Sequence, residues 1–338
     1  MTARSIASRT VLARLGVHTG GGARTHIGAL LEDSPLLELV DVEIRAAVGA
    51  NGLPGEAGSN GAPGGDGVDG GAEEDPIEPG SGGVNDRCDR GVTSGGDGGV
   101  GGTRTGQGET PARSGEDARL ASGGDAGNFA LGGVSGEDGP AGSPGMPGEP
   151  PGLGAFDGSR WIVELGEVGA SGTEGGGGGG GGGGAPSNLT PRGTGGGGGG
   201  AGGCPGAGGT PGTAAGSSFG ALIIGQAPAF VGDTRLVASS GGNGGAPGAG
   251  GAGGAGGAGG MGGGEGISAG GAGGSGGVGG SGGDGSPGAP GHSVGAYCVG
   301  DGVDVSGATL EHGAAGTWTG VLPTPQGAMA ADSVGCVE

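Results

Sequence analysis

The chain has 338 residues, of which 110 are glycine and 21 proline, with 2% aromatics and a formal net charge of −21 in which every Lys/Arg position is arginine. So little bulky apolar surface excludes a conventional hydrophobic core of matching size. The acidic balance excludes the basic patches that nucleic acid or an anionic membrane requires, and the absence of a long apolar run excludes a membrane-spanning helix.

Residues 1–24 carry Arg4, Arg9, Arg14 and Arg24 and no acid. Their apolar run is too short for a signal-peptide core. They are expected to be disordered, following a misplaced start or belonging to a longer exported protein.

Residues 25–152 are expected to form a first β unit with glycine arms and acidic loops. Apolar and polar residues alternate from His26 to Arg45 around a turn at Ser34-Pro35, which reads as two strands. Glycine then holds a three-residue frame from Gly49 to Gly70 and again from Gly133 to Gly148. That period is neither 3.6 nor 2. It belongs to the polyproline II helix, which has no internal hydrogen bonds, so its N–H and C=O groups need partners on neighbouring chains. The proline content of these two runs is locally collagen-like. Within the first run, Gly64-Gly65-Asp66-Gly67-Val68-Asp69 resembles the start of the calcium-binding β-roll repeat GGxGxDxUx. The resemblance implies calcium at Asp66 and Asp69, since carboxylates suit a hard cation.

Residues 153–216 are expected to be a second β unit, with the glycine runs 175–184 and 195–200 acting as flexible linkers because no side chain sets their register. A third unit, 217–291, ends in the long Gly-Gly-X arm, whose glycine frame shifts at Ile267-Ser268-Ala269, the expected turn between two antiparallel halves. A C-terminal unit covers 292–338. The units share a tetrad of apolar residue, Gly, Ala, apolar residue: Ile27 to Leu30, Leu153 to Phe156, Phe219 to Leu222 and Val294 to Tyr297. A degenerate copy of the repeat is read near Arg119 to Asp125. Repeats that bury no face alone stack on their neighbours. The fold class expected is therefore irregular and mostly β, with short solenoid-like stacked strands, bundled polyglycine II arms and almost no α-helix.

Four cysteines allow three pairings. Cys298 and Cys336 flank the last β segment and are the favoured disulfide; Cys88 and Cys204 would form the other. Gly273-Gly274-Ser275-Gly276-Gly277 satisfies the nucleophile-elbow pattern but lacks the strand before it and the helix after it. No catalytic residue is assigned, and no cofactor beyond the calcium reading.

The Gly-Gly-X tracts at 250–263 and 270–283 resemble those of snow-flea antifreeze proteins, glycine-rich phage tail-tip adhesins and the PE-PGRS surface proteins of mycobacteria. The first two families imply packed polyglycine II helices. The likeness extends to architecture alone, and no PE-type N-terminal domain is visible. The expectation is a secreted or cell-surface structural protein of a GC-rich bacterium, non-enzymatic, with an adhesive or matrix role toward an extracellular surface component. The alternatives are an ice- or small-ligand-binding face built on Ala252, Ala255, Ala258, Ala272 and Ser275, or a largely disordered glycine-rich linker protein.

Overall fold

The computed structural model describes residues 14–18, 24–71, 77–105, 108–129, 131–320 and 327–337. Strand β1 (Arg14–His18) precedes a first coil made of β2 (Thr25–Glu32), β3 (Glu38–Val40) and β4 (Glu43–Arg45). Two hairpins follow, β5 (Thr103–Thr105) with β6 (Gly108–Thr110) and β7 (Ala155–Asp157) with β8 (Arg160–Ile162). A second coil contains β9 (Ser218–Ile224), β10 (Ala229–Val231) and β11 (Arg235–Val237), and a third contains β12 (Ser293–Val299) and β13 (Thr309–Glu311). Strand β14 (Ala330–Val334) starts a fourth coil. The only helix among the described residues is the single turn α1 (Arg90–Thr93).

The coils stack in parallel. One sheet has the order β1-β2-β9-β12-β14, a second pairs β3 with β10, and a third runs β4-β11-β13. The shared tetrads set the register: Ile27 aligns with Phe219, which aligns with Val294, and Ala29 with Ala221 and Ala296. The tetrad glycine has a steric cause. A Cβ on Gly220 would lie 2.3 Å from the Gly295 carbonyl and 2.9 Å from the Val237 nitrogen, where the third sheet crosses the first. Inside the coils lie Leu31, Ile223, Phe230, Leu236, Ala296, Val303 and Val305. Outside, Arg235 lies opposite Glu43 on β4 and Thr309 on β13, and it bonds the carboxylates of Glu43 and Glu311.

Three sequence readings change here. The tetrad Leu153 to Phe156 does not begin a coil. It enters the antiparallel β7–β8 hairpin, which packs Phe156 and Trp161 onto Phe219 and Tyr297; its neighbours Asp157, Gly158 and Arg160 make a tight turn, with Gly158 at φ +58°, and not a long crossover. The degenerate copy near Arg119 is a tight turn with an isolated Ala118–Ala121 bridge. Within 1–24, Arg14–His18 pairs antiparallel with β2 and closes its edge; most of the rest of that segment lies outside the described residues.

The glycine arms leave the coils and pack side by side as rods with aligned axes, named p1 (47–71), p2 (78–85), p3 (94–102), p4 (111–117), p5 (122–128), p6 (131–149), p7 (167–186), p8 (193–216), p9 (239–263), p10 (270–292) and p11 (312–318). Their hydrogen bonds recur every third residue: Gly52, Gly55, Gly58 and Gly61 donate to Asn243, Ala246, Ala249 and Ala252, at 2.8–2.9 Å. This is the threefold repeat of a polyproline II helix, with each rod supplying the partners that its neighbour lacks. Bond partners place p9, p10 and p6 in an upper row, p1, p8, p7 and p5 in a middle row, and p2, p3 and p4 in a lower row. Rod p11 begins a fourth row over p9 and p10.

The two pure glycine runs are the centre of this lattice and not linkers. Rod p8 bonds p1, p9, p10, p7, p3 and p2, and rod p7 bonds p8, p10, p6, p5, p4 and p3. A threefold helix enclosed on every side has no direction left for a side chain. Residues 175–184 and 195–200 are accordingly buried throughout, and a Cβ on Gly180 would lie 1.9 Å from the Asp97 carbonyl. The lower rods stop near α1 and near Ala118. Beyond those points p8 regains side chains, including Cys204, Thr210 and Thr213. The locally collagen-like runs, with one glycine per triplet, are p1 and p6 on the flanks of the lattice, glycine inward.

Candidate functional surfaces

The outward N–H groups of the rods are the recurring polar problem, and side chains answer it in a regular way. Along the p1 edge of p9, Asn51, Asn60, Asp66 and Asp69 accept from the N–H groups of Asn243, Ala252, Ala258 and Met261 at 2.7–2.9 Å. Asp138 does the same for Ser275. Where the lower row is missing, Thr213, Thr210 and Thr173 accept from Leu53, Glu56 and Ser143. The two residues read as calcium ligands thus spend a carboxylate oxygen each on a neighbouring rod, on different triplets. No cluster of three or more His, Cys, Asp or Glu suited to a metal occurs among the described residues. The β-roll pattern needs consecutive coils of its own kind, whereas here the matching residues lie along a straight rod.

Both disulfides are formed. Cys298–Cys336 joins β12 to the segment after β14, and Cys88–Cys204 ties the loop after p2 to p8 where the lower row ends. Sequence spacing suggests the first pairing; the second depends on a register between distant rods.

At the base of the bundle an aromatic cluster joins rods to coils. Trp161, Phe156, Phe219 and Tyr297 meet with ring centroids 4.8–5.8 Å apart. His292, 1% exposed, sets its ring across Trp161 at 5.2 Å. Its Nδ1 accepts the Met329 N–H at 2.9 Å, which leaves the ring proton on Nε2, an atom with no hydrogen-bond partner. Burial lowers the His292 pKa to about 4. Nothing in the sequence around His292 announces this environment, because its hydrogen-bond partner Met329 lies 37 residues on.

The opposite end of the bundle collects the described turns after p3, p5, p7 and p9. Exposed apolar side chains gather there: Phe129, Leu131, Leu189 and Ile267, with Arg104 lying 5.6 Å over the Phe129 ring and bonding Asn188. The turn at Gly264 to Ala269 reverses the long arm, and p9 and p10 run antiparallel. A groove of about 590 Å³ lies between p1 and residues 84–87. Its amides are turned into the fold: Asn85 Nδ2 donates to the Gly202 carbonyl, Asn85 Oδ1 accepts the Arg87 N–H, and Asn60 Oδ1 accepts the Ala252 N–H.

Ser275, the serine of the elbow-like pattern, projects from a rod with its N–H held by Asp138. No described helix is long and apolar enough to cross a membrane. No known protein family, curated protein or solved structure matches the chain.

Proposed function

We propose that this is a secreted or cell-surface structural protein with an adhesive or matrix role, in which the bundle is a stiff spacer that presents its distal turns. The observation carrying this reading is the pair of disulfides tying outlying segments to the ordered body, a feature of oxidising compartments. The concentration of Phe129, Leu131, Leu189 and Ile267 at the far end supports adhesion through that end, since exposed apolar clusters of this kind mark contact sites.

The test is protease shaving of intact cells of the source organism, followed by non-reducing detection of the chain. Amine labelling is unsuitable in a chain without lysine. Loss of the protein from intact cells, or its recovery in the medium, with both disulfides formed supports the reading. A protease-protected protein with four free thiols refutes it. In a solid-phase assay with washed cell envelopes, Leu189→Ser with Ile267→Ser is expected to lower retention at least fivefold while the circular dichroism stays unchanged.

A second reading, an ice- or small-ligand-binding face, is favoured by the exposed small residues Ala252, Ala255, Ala258 and Ser275 on adjacent rods. Thermal hysteresis near 0 °C would support it. Met261, Val278 and Asp284 interrupt the uniformity of the same face.

A further inference from the structure

Rod p11 occupies a groove between p9 and p10, and its bonding defines what that groove accepts. Gly241 and Gly244 of p9 donate to the carbonyls of Ala314 and Thr317, and Gly291 of p10 accepts from the Gly316 N–H, at 2.9–3.0 Å. At Gly320, with φ +80°, the chain turns away beside Pro247. The groove itself continues toward the distal end. In the frame of Gly241 and Gly244 follow Pro247, which has no N–H; Gly250, whose N–H is taken by Asp284 Oδ1 at 2.9 Å; and then Gly253, Gly256 and Gly259. The last three N–H groups have no hydrogen-bond partner among the described residues. In the frame of Gly291 on the facing wall, the carbonyls of Gly282, Gly279, Gly276 and Gly273 accept no hydrogen bond either.

Donors line one wall, acceptors line the other, and both repeat every third residue in step with each other, as Gly253 faces Gly279, Gly256 faces Gly276 and Gly259 faces Gly273. The flanking side chains are exposed and short: Ala252, Ala255 and Ala258 on one rim, Ser275, Val278 and Ser281 on the other. Along the same span of the p1 edge of p9, Asn60, Asp66 and Asp69 stopper the N–H groups of Ala252, Ala258 and Met261 and leave only that of Ala255 between them open, whereas on the groove side three in succession are open. A row stoppered by side chains ends the lattice. A row left open, collinear with a rod already seated in the same groove, admits another.

We infer that the groove from Gly253 to Gly259 and from Gly273 to Gly282 is a docking track for an extended glycine-rich strand from another chain, bound in the polyproline II conformation as p11 is. The occupant needs an N–H at every third residue to reach the acceptor wall and a carbonyl one residue later to reach the donor wall, the pattern that Gly316 and Thr317 supply in p11. Glycine at the first position allows the close approach, and proline is tolerated at the third. Recognition is by backbone, so the partner is defined by its glycine frame and not by particular side chains, as in strand addition to an open sheet edge. Asp284 and Pro247 separate the track from p11 and prevent the chain's own fourth row from filling it. The inference does not depend on where the protein resides.

The test uses the full-length, disulfide-bonded protein and a fluorescent acetyl-(Gly-Ala-Pro)5-amide peptide, with a control of the same composition whose glycines are taken out of frame. Saturable binding of the framed peptide, at least tenfold tighter than the control, is expected in fluorescence anisotropy. Hydrogen exchange should slow at Gly253, Gly256 and Gly259 when it binds. Val278→Arg and Ala255→Trp fill the groove from exposed rim positions and should weaken binding tenfold or more without loss of fold. Asp284→Ala frees the Gly250 N–H, lengthens the track and should tighten binding severalfold. Equal affinity for framed and scrambled peptides, no binding at millimolar peptide, or unchanged affinity in Val278→Arg and Ala255→Trp would each overturn the inference, as would protection mapping to the distal turns.

Discussion

Replacing Gly180 by alanine tests the lattice where it is most enclosed. In a flexible linker this change leaves stability alone, or raises it by about 0.4–1 kcal/mol because the unfolded chain loses freedom. In the bundle the sign reverses. The new Cβ would lie 1.9 Å from the Asp97 carbonyl oxygen and 2.5 Å from its carbon, where ordinary contact begins at 3.4 Å. Rod p3 must therefore recede from p7 by about 1.5 Å to restore van der Waals distance. The bonds that hold it are Gly96 to Gly178 at 2.9 Å and Gly99 to Gly181 at 2.7 Å, and Asp97 also accepts the Glu116 N–H from p4 at 2.7 Å. Losing two or three such bonds, with buried groups left unpaired, costs about 3–5 kcal/mol. Urea denaturation followed by far-ultraviolet circular dichroism measures the difference, with Ala255→Gly as the control at an exposed position, expected to cost about 1 kcal/mol through backbone entropy alone. A Gly180→Ala protein as stable as wild type, or more stable, would refute the enclosed lattice and restore the linker reading of 175–184.

His292 predicts a pH dependence. The unfolded chain protonates it below about 6.5 and the folded one only near 4, so its contribution is complete above pH 6.5 and is lost as pH falls toward 4, by about 3 kcal/mol. His292→Gln, which keeps an acceptor for the Met329 N–H, should flatten that part of the stability curve; an unchanged slope would assign it to carboxylates. The disulfides predict a graded response to reductant. The 38-residue separation of Cys298–Cys336 corresponds to about 4 kcal/mol and the 116-residue separation of Cys88–Cys204 to nearly 5. Cys298→Ser with Cys336→Ser should lower stability by no more than that and leave the rods intact, whereas Cys88→Ser with Cys204→Ser should first speed hydrogen exchange in the loop at residues 84–93.

Much of the architecture follows from residue spacing. The three-residue glycine frames specify polyproline II rods, because no other regular backbone has that period and no internal bonds. The tetrads at Ile27, Phe219 and Val294 mark the stacked coils, because the glycine within them is needed where two sheets cross. The frame shift at Ile267 to Ala269 marks the reversal of the long arm. Even the number of glycines per triplet carries positional information: one in the flanking rods p1 and p6, two in p9 and p10, three in the enclosed stretches of p7 and p8.

Sequence alone could not show which rods are neighbours. A glycine run has no side chain to advertise a partner, so residues 175–184 read as a loose linker from sequence; enclosure by p8, p10, p6, p5, p4 and p3 makes them the most confined part of the molecule instead. The same is true of the tetrad at Leu153, whose pattern matches the coils but whose following residues turn too tightly to make one. Asp66 and Asp69 each accept an N–H from a rod 192 residues on, a contact the sequence does not show, because register between distant segments determines which N–H groups lie within reach. The open row at Gly253, Gly256 and Gly259 is likewise invisible in the sequence: its glycines resemble every other, and only the packing of p9 against p10 turns their N–H groups outward.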